Sequence, residues 1–248
     1  MIQNVTNLTN LILNTSNNIG DKKLINGKLP LLLDILEKQN EALYKIKIGK
    51  IISVSKSNTP LQVGSKYFAN VSQNNGALLI NNLVPYPKNL EFLQGQFIGQ
   101  SFQDIKSIFE KDVKDAPKIL QNQLLNELAN AKNRDDFLHF YHQLHSLQKG
   151  IFSFFINDGG KNHLLQIQNE RNSLKFYAFL THLGGISGVV SKAKNDISLD
   201  LKTQFQSVAD LLNEDIAALK SFGKINIKVH KNIEPIYDFS SHLLDLKG

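Results

Sequence analysis

The chain has no cysteine, no tryptophan, one methionine and six prolines in 248 residues. Without cysteine there is no disulfide, no thiolate metal site and no cysteine nucleophile, which fits a reducing compartment. Arginine is almost missing too. Of the 28 basic residues only Arg134 and Arg171 are arginines, leaving 26 lysines. Arginine supplies most bidentate recognition of phosphates and base edges. The formal charge of +6 is therefore a weak pointer to nucleic acid. The lysines are also scattered (Lys22, Lys23, Lys45, Lys47, Lys50, Lys111, Lys114), as on an ordinary solvated surface. No apolar run approaches the ~18–20 residues of a membrane helix. The opening MIQNVTNLTNLILNTSNN has no positive n-region and no long apolar stretch, so it does not read as a signal peptide. The expectation is a cytoplasmic protein that does not insert into a membrane, with nucleic acid an unfavoured partner.

What is present divides the chain into blocks. Residues 1–28 are rich in Asn, Thr and Ser and read as a loose segment. PLLLDILEKQNEALYK has leucines at 32, 33, 36 and 43 near helical spacing and a proline suited to a first turn, which predicts a helix. From Tyr44 the period changes to two, with Tyr44, Ile46 and Ile48 alternating with lysines. Turn signals at Ser57-Asn58-Thr59-Pro60 and Asn74-Asn75-Gly76 then separate further strands. A helix plus a small barrel-like β module is expected over 29–87, closed by Pro85 and Pro87. Residues 88–150 read as helical. Phe102, Ile105, Ile108 and Phe109 share one face; Ile119, Leu120, Leu124, Leu125 and Leu128 share another. RDDFLHFYHQLHSLQKG has acids in its first turn and Gly150 as its stop. Residues 151–231 read as strands FSFFI, HLLQIQ, SLKFYAFLT, GISGVVSK and DISLDLKT, the helix QFQSVADLLNEDIAALKSF and the strand KINIKVH. Val208, Leu211, Leu212, Ile216 and Leu219 are the expected buried stripe of that helix. Residues 232–248 are a tail that docks or stays loose. The fold class is α+β: a small antiparallel β module, a helical middle, and a C-terminal α/β sandwich-like part with one long amphipathic helix on a mixed sheet.

The chemistry-bearing patterns are few. Gly184, Gly185 and Gly188 lie in THLGGISGVV, which raises a phosphate loop. Such a loop needs a strand, glycines and then a helix N-terminus. Here strand-like runs flank the glycines on both sides, so a bend or bulge is expected. His139, His142 and His145 recur at i, i+3 and i+6. His139 and His142 are the weak metal candidates, but no HExxH spacing accompanies them. Partly exposed imidazoles on a helix flank are the simpler expectation. Asp135/Asp136 and Glu214/Asp215 are adjacent on expected helices, and adjacent helical positions do not face each other. No GxSxG appears. The expectation is a protein that is not an enzyme and uses no cofactor.

The run from SLKFYAFLT through Leu183-Gly184, GISGVV, KAKND, ISLDLKT, QFQSVADLLNEDIAALKSF and Gly223 to INIKV resembles the C-terminal domain of the flagellar hook-length control family. The likeness extends over residues 163–231, and FLHFYHQLHSLQKGIFSFFINDGG is similar to the segment that precedes the domain there. Where the family commonly carries a proline ahead of the Leu-Gly pair, this chain has Leu180 and Thr181. The resemblance implies a protein of flagellar export and assembly that works by binding an export-apparatus component or an export chaperone. It implies a contact surface around Leu183, Gly184, Gly185 and Gly188 and the exposed side of residues 203–221. The loose N-terminus is compatible with passage out through the flagellar apparatus. Two alternatives stand beside it: a nucleic-acid or anionic-surface binder using the β module, and an export chaperone using an apolar groove among the middle helices.

Overall fold

A computed structural model describes residues 29–74, 77–94, 99–101, 103–105, 115–158, 161–193, 196–214, 216 and 222–239. The chain is α+β. Five strands close a barrel: β1 (Leu31–Lys38), β2 (Leu43–Ile48), β3 (Ile51–Lys56), β4 (Lys66–Asn74) and β5 (Ala77–Pro85), in the order β1-β2-β3-β5-β4. Neighbours are antiparallel except β3 and β5, which run parallel through Ser55↔Leu78 and Lys56↔Leu79. The barrel interior is filled by Leu33, Ile35, Tyr44, Ile46, Ala69, Val71, Leu78 and Ile80. The period-two pattern from Tyr44 onward is the barrel's inside-outside alternation.

The helix expected to start at Pro30 is instead β1 and the turn into β2. Leu33 and Ile35 are the buried side chains, two residues apart. Leu33 pairs with Ile48 on one side and Tyr67 on the other, so barrel neighbours satisfy the backbone that a helix would have satisfied internally. Asn40 ends the strand: its side-chain oxygen accepts from the Ala42 and Leu43 N–H groups at 3.1 and 2.9 Å. Asn75 and Gly76 of the hairpin signal lie outside the described residues, but β4 and β5 pair antiparallel up to Asn74↔Ala77 on either side of them.

A 3₁₀ helix (Lys88–Gln94) leaves the barrel. Phe102, Ile108 and Phe109 lie outside the described residues; Ile105 is buried behind a Ser101–Asp104 cap. Helices α1 (Ala116–Ala129) and α2 (Arg134–Gln148) form a hairpin. Leu120 and Leu124 of α1 are buried, whereas Ile119 and Leu125 are exposed. Asn133 caps α2 by accepting from the Asp136 N–H at 2.8 Å, and Gly150 follows its end with φ +75°.

The second sheet has six strands in the order β11-β10-β9-β8-β7-β6. β6 (Ile151–Asp158), β7 (Lys161–Asn169), β8 (Ser173–Leu180), β9 (Gly184–Ala193) and β10 (Asp196–Thr203) form an antiparallel meander. Helix α3 (Gln206–Glu214) then leads to β11 (Lys224–Val229), parallel to β10, so the sheet is mixed. Val208 of α3 is fully buried, Leu211 and Leu212 pack partly against the core, and Ile216 is exposed. Leu219 lies outside the described residues. β6 is covered on both faces. Ile151 and Phe155 join the core shared with the barrel, while Phe154 and Ile156 pack with Leu120, Leu124 and Phe140 of the helical hairpin. Burial on both faces explains why β6 reads as IFSFFI, apolar at all but Ser153, rather than as an alternation.

Barrel and sheet meet in one core. Phe68 and Val84 of the barrel and Tyr86 just beyond it join Tyr177, Phe179, Phe205 and Val208. Phe68 meets Phe179 edge-on at 5.7 Å between ring centroids, and Tyr86 meets Phe179 at 5.2 Å. The tail docks. Ile233, Tyr237 and Phe239 are buried in this same core, so residues 233–239 form a strap across the sheet. Gln166 of β7, fully buried, holds the strap: its oxygen accepts from the Ile236 and Tyr237 N–H groups at 2.8 and 3.1 Å, and its amide donates to the Tyr237 carbonyl at 2.9 Å. One side chain thus replaces a strand partner for an irregular segment.

Gln166→Leu keeps the volume but strands two buried backbone groups of Tyr237 and the half-buried Ile236 N–H. A loss of about 3 kcal/mol is expected in urea unfolding, at ~1–3 kcal/mol per orphaned buried group. Amide exchange at Ile236 and Tyr237 should accelerate before that of β8.

Candidate functional site

Helix α2 presents His139, His142 and His145 to the strap and β6 rather than to solvent. His139 and His142 are only 8% exposed, which corrects the expectation of partly exposed imidazoles. The His139 ring lies 3.9 Å from that of Phe155 between centroids, and His142 meets Phe239 edge-on at 5.6 Å. His145 Nδ1 and the Tyr237 hydroxyl share a hydrogen bond of 2.7 Å. The histidines therefore build an aromatic seam between helix, sheet and strap. Among the described residues no group of three or more His, Asp or Glu is placed to hold a metal ion. Burial, then the charge of His142, drives the His139 pKa down to about 3.

A second polar cluster lies where β7 begins and β8 turns into β9. His163 is buried, and its Nδ1 accepts from the Thr181 N–H at 3.4 Å. His182 is in the turn itself. Burial first and Lys161 second lower His163 to about 4; burial, Lys161 and His163 do the same for His182. All three imidazoles are held neutral.

The glycines are in that turn and in β9. Gly184 has φ +77° and Leu183 is buried beside it. The Gly185 N–H donates to Gln204 Oε1 at 2.8 Å. A Cβ on Gly184 would stand 2.7 Å from that same oxygen, and one on Gly188 would stand 2.5 Å from Phe176 Cζ and 2.8 Å from Leu201 Cδ2. Gly184 leads into a strand, with no helix N-terminus to receive a phosphate. Leu183, Gly184, Gly185 and Gly188 are all buried, so they shape the β8–β9 hairpin and what they offer a partner is the form of the turn.

Among the described residues two surfaces are open. β11 ends the sheet with β10 on one side, and among the described residues no strand pairs with its other side. Lys224, Lys228, Val229 and His230 are exposed along it. An unpaired edge of this kind accepts an added strand. The other surface is the outer wall of β2 and β3, where Ile52 and Val54 are exposed among lysines. The sequence points to the β module only as a nucleic-acid or anionic-surface binder, although the alternation in LYKIKIGKIISVSK already places lysines and aliphatics outside.

Acid should unfold this protein through its histidines. An unfolded histidine takes up its proton near pH 6.5. His139, His163 and His182 resist until about 3, 4 and 4 in the folded chain. Their lowered pKa values favour the fold above pH 6.5, and this contribution is lost as pH falls from 6.5 toward 4. The expected slope is about 1.4 kcal/mol per pH unit for each histidine. Urea midpoints between pH 7 and pH 4.5 measure it, and His182→Gln should flatten it by about a third.

Gly184→Ala should cost about 2–3 kcal/mol, combining left-handed strain with loss of the Gln204 bond. Gly188→Ala should cost about 1–3 kcal/mol by overpacking. Gly64→Ala, also left-handed at φ +81° but with nothing within 4 Å, isolates the strain alone in the same denaturation series.

No protein-family model matches this chain, and no curated protein and no solved structure match it.

Proposed function

We propose that this chain is a non-enzymatic protein of bacterial flagellar export and assembly, a hook-length control protein or an export accessory, that works by binding other proteins. The observation that carries the reading is the run β8, Leu183-Gly184 turn, β9, β10, α3, Gly223 and β11, ending in an open sheet edge. That is the element order implied by the resemblance to the hook-length control family. The expected partner is an export-apparatus component or an export chaperone, which would add a strand along β11 and lean on the neighbouring face of α3. The glycine turn supports binding over catalysis, since its backbone is spent on packing and on Gln204.

Deletion of the gene in the source bacterium, scored by electron microscopy, tests this. Overlong hooks lacking filaments are the expected outcome. Hooks and filaments of normal length, with normal swimming, would reject it.

A further inference from the structure

The barrel uses its walls unequally. Phe68 and Val84, from β4 and β5, enter the core shared with the sheet, and Leu32 of β1 packs against it. β2 and β3 contribute nothing to that core and turn their outer side away. Cross-strand neighbours share a face. Lys45 lies opposite Val54, Lys47 opposite Ile52, and Lys56 beside Leu79 of β5. Ile52, Val54 and Leu79 are 57, 43 and 38% exposed. The result is a strip of three aliphatic side chains framed by three lysines.

The positive frame is poorly compensated. The hairpin from Leu43 to Lys56 contains Lys45, Lys47, Lys50 and Lys56 and no acid. Glu37 lies 3.8 Å from Lys45, and Asp34, the register neighbour of Lys47, lies 3.5 Å from Lys66. Among the described residues no carboxylate is within ion-pair distance of Lys47, Lys50 or Lys56. Exposed aliphatics that alternate with unpaired cations fit a partner carrying acids and apolar residues together.

Other occupants fit less well. Single-stranded nucleic acid wants aromatic platforms for its bases. The barrel's Tyr44 and Phe68 are buried, Tyr67 is partly buried, and the strip contains no aromatic and no arginine. A membrane-surface element buries a broad apolar face carrying Trp, Phe or Leu in the headgroup boundary. Here the apolar face is only the strip of Ile52, Val54 and Leu79, framed by lysines. The barrel is closed, so it has no edge for strand addition, and recognition must run through side chains.

We infer that the outer face of β2 and β3, centred on Lys47, Ile52 and Val54, is a docking surface for an acidic amphipathic segment of a protein partner. It is separate from the β11 edge and stands whether or not the flagellar reading does.

Fluorescence anisotropy with the full chain tests it. The probe is a labelled peptide of about 20 residues that shows glutamates on one helical face and leucines on the other. Its comparators are polyglutamate and oligothymidylate of similar length, and phosphatidylglycerol vesicles in flotation. The amphipathic peptide should bind at least about tenfold tighter than either soluble comparator. Lys47→Glu and Ile52→Ser should each weaken it by about tenfold or more at unchanged melting temperature, while Val229→Ser on β11 leaves it unaltered. Peptide-induced NMR shifts in the unmutated chain should map to β2 and β3, a readout independent of the variants. Equal binding of polyglutamate or oligothymidylate, preference for vesicles, indifference to Ile52→Ser, or no binding of the peptide would each overturn the inference.

Discussion

The fold depends on one obligation: the inner face of the six-stranded sheet must be covered. Tyr177 and Phe179 of β8 and Leu164 of β7 are fully buried there, and no single element is broad enough to cover them. Four pieces share the task. The barrel supplies Phe68 and Val84, the 3₁₀ helix Leu90 and Leu93, α3 Val208, and the strap Ile233, Tyr237 and Phe239. The barrel and the sheet are therefore joined by apolar burial, the largest favourable contribution to folding. A chain built this way leaves little room for a cleft on that face. Its open surfaces lie on the far barrel wall and at the sheet edge, which is where binding has been placed.

Much of this was legible from residue periodicity. LYKIKIGKIISVS alternates because one side of the barrel wall is core and the other is water. IFSFFI does not alternate because β6 is buried on both faces. Asp135 and Asp136 in the first turn and Gly150 after the last mark both ends of α2, and local chemistry of that kind reads directly from sequence.

What was not legible depends on partners distant in the chain. Leucines at 32, 33, 36 and 43 suit a helix until β4 is available to pair with Leu33. His139 and His142 look like surface residues until Phe155 and Phe239 arrive to cover them. In HLLQIQ the first glutamine reads as an outward polar position of an alternating strand, yet Gln166 points into the core because an irregular strap needs its amide. The Leu183-Gly184 turn was expected as a bend. Its acceptor, Gln204, lies 19 residues further on, between β10 and α3, and nothing local announces it.

The Gln166 clamp closes a loop of 71 residues, with β8, β9, β10, α3 and β11 between its ends. Because side chains alternate along a strand, a slip of one residue in β7 would turn Gln166 to the opposite face. The strap would then meet Leu165 or Ile167, with no amide to receive its backbone. The clamp is thus specific to register: its three hydrogen bonds exist only when β7 turns Gln166 toward the strap.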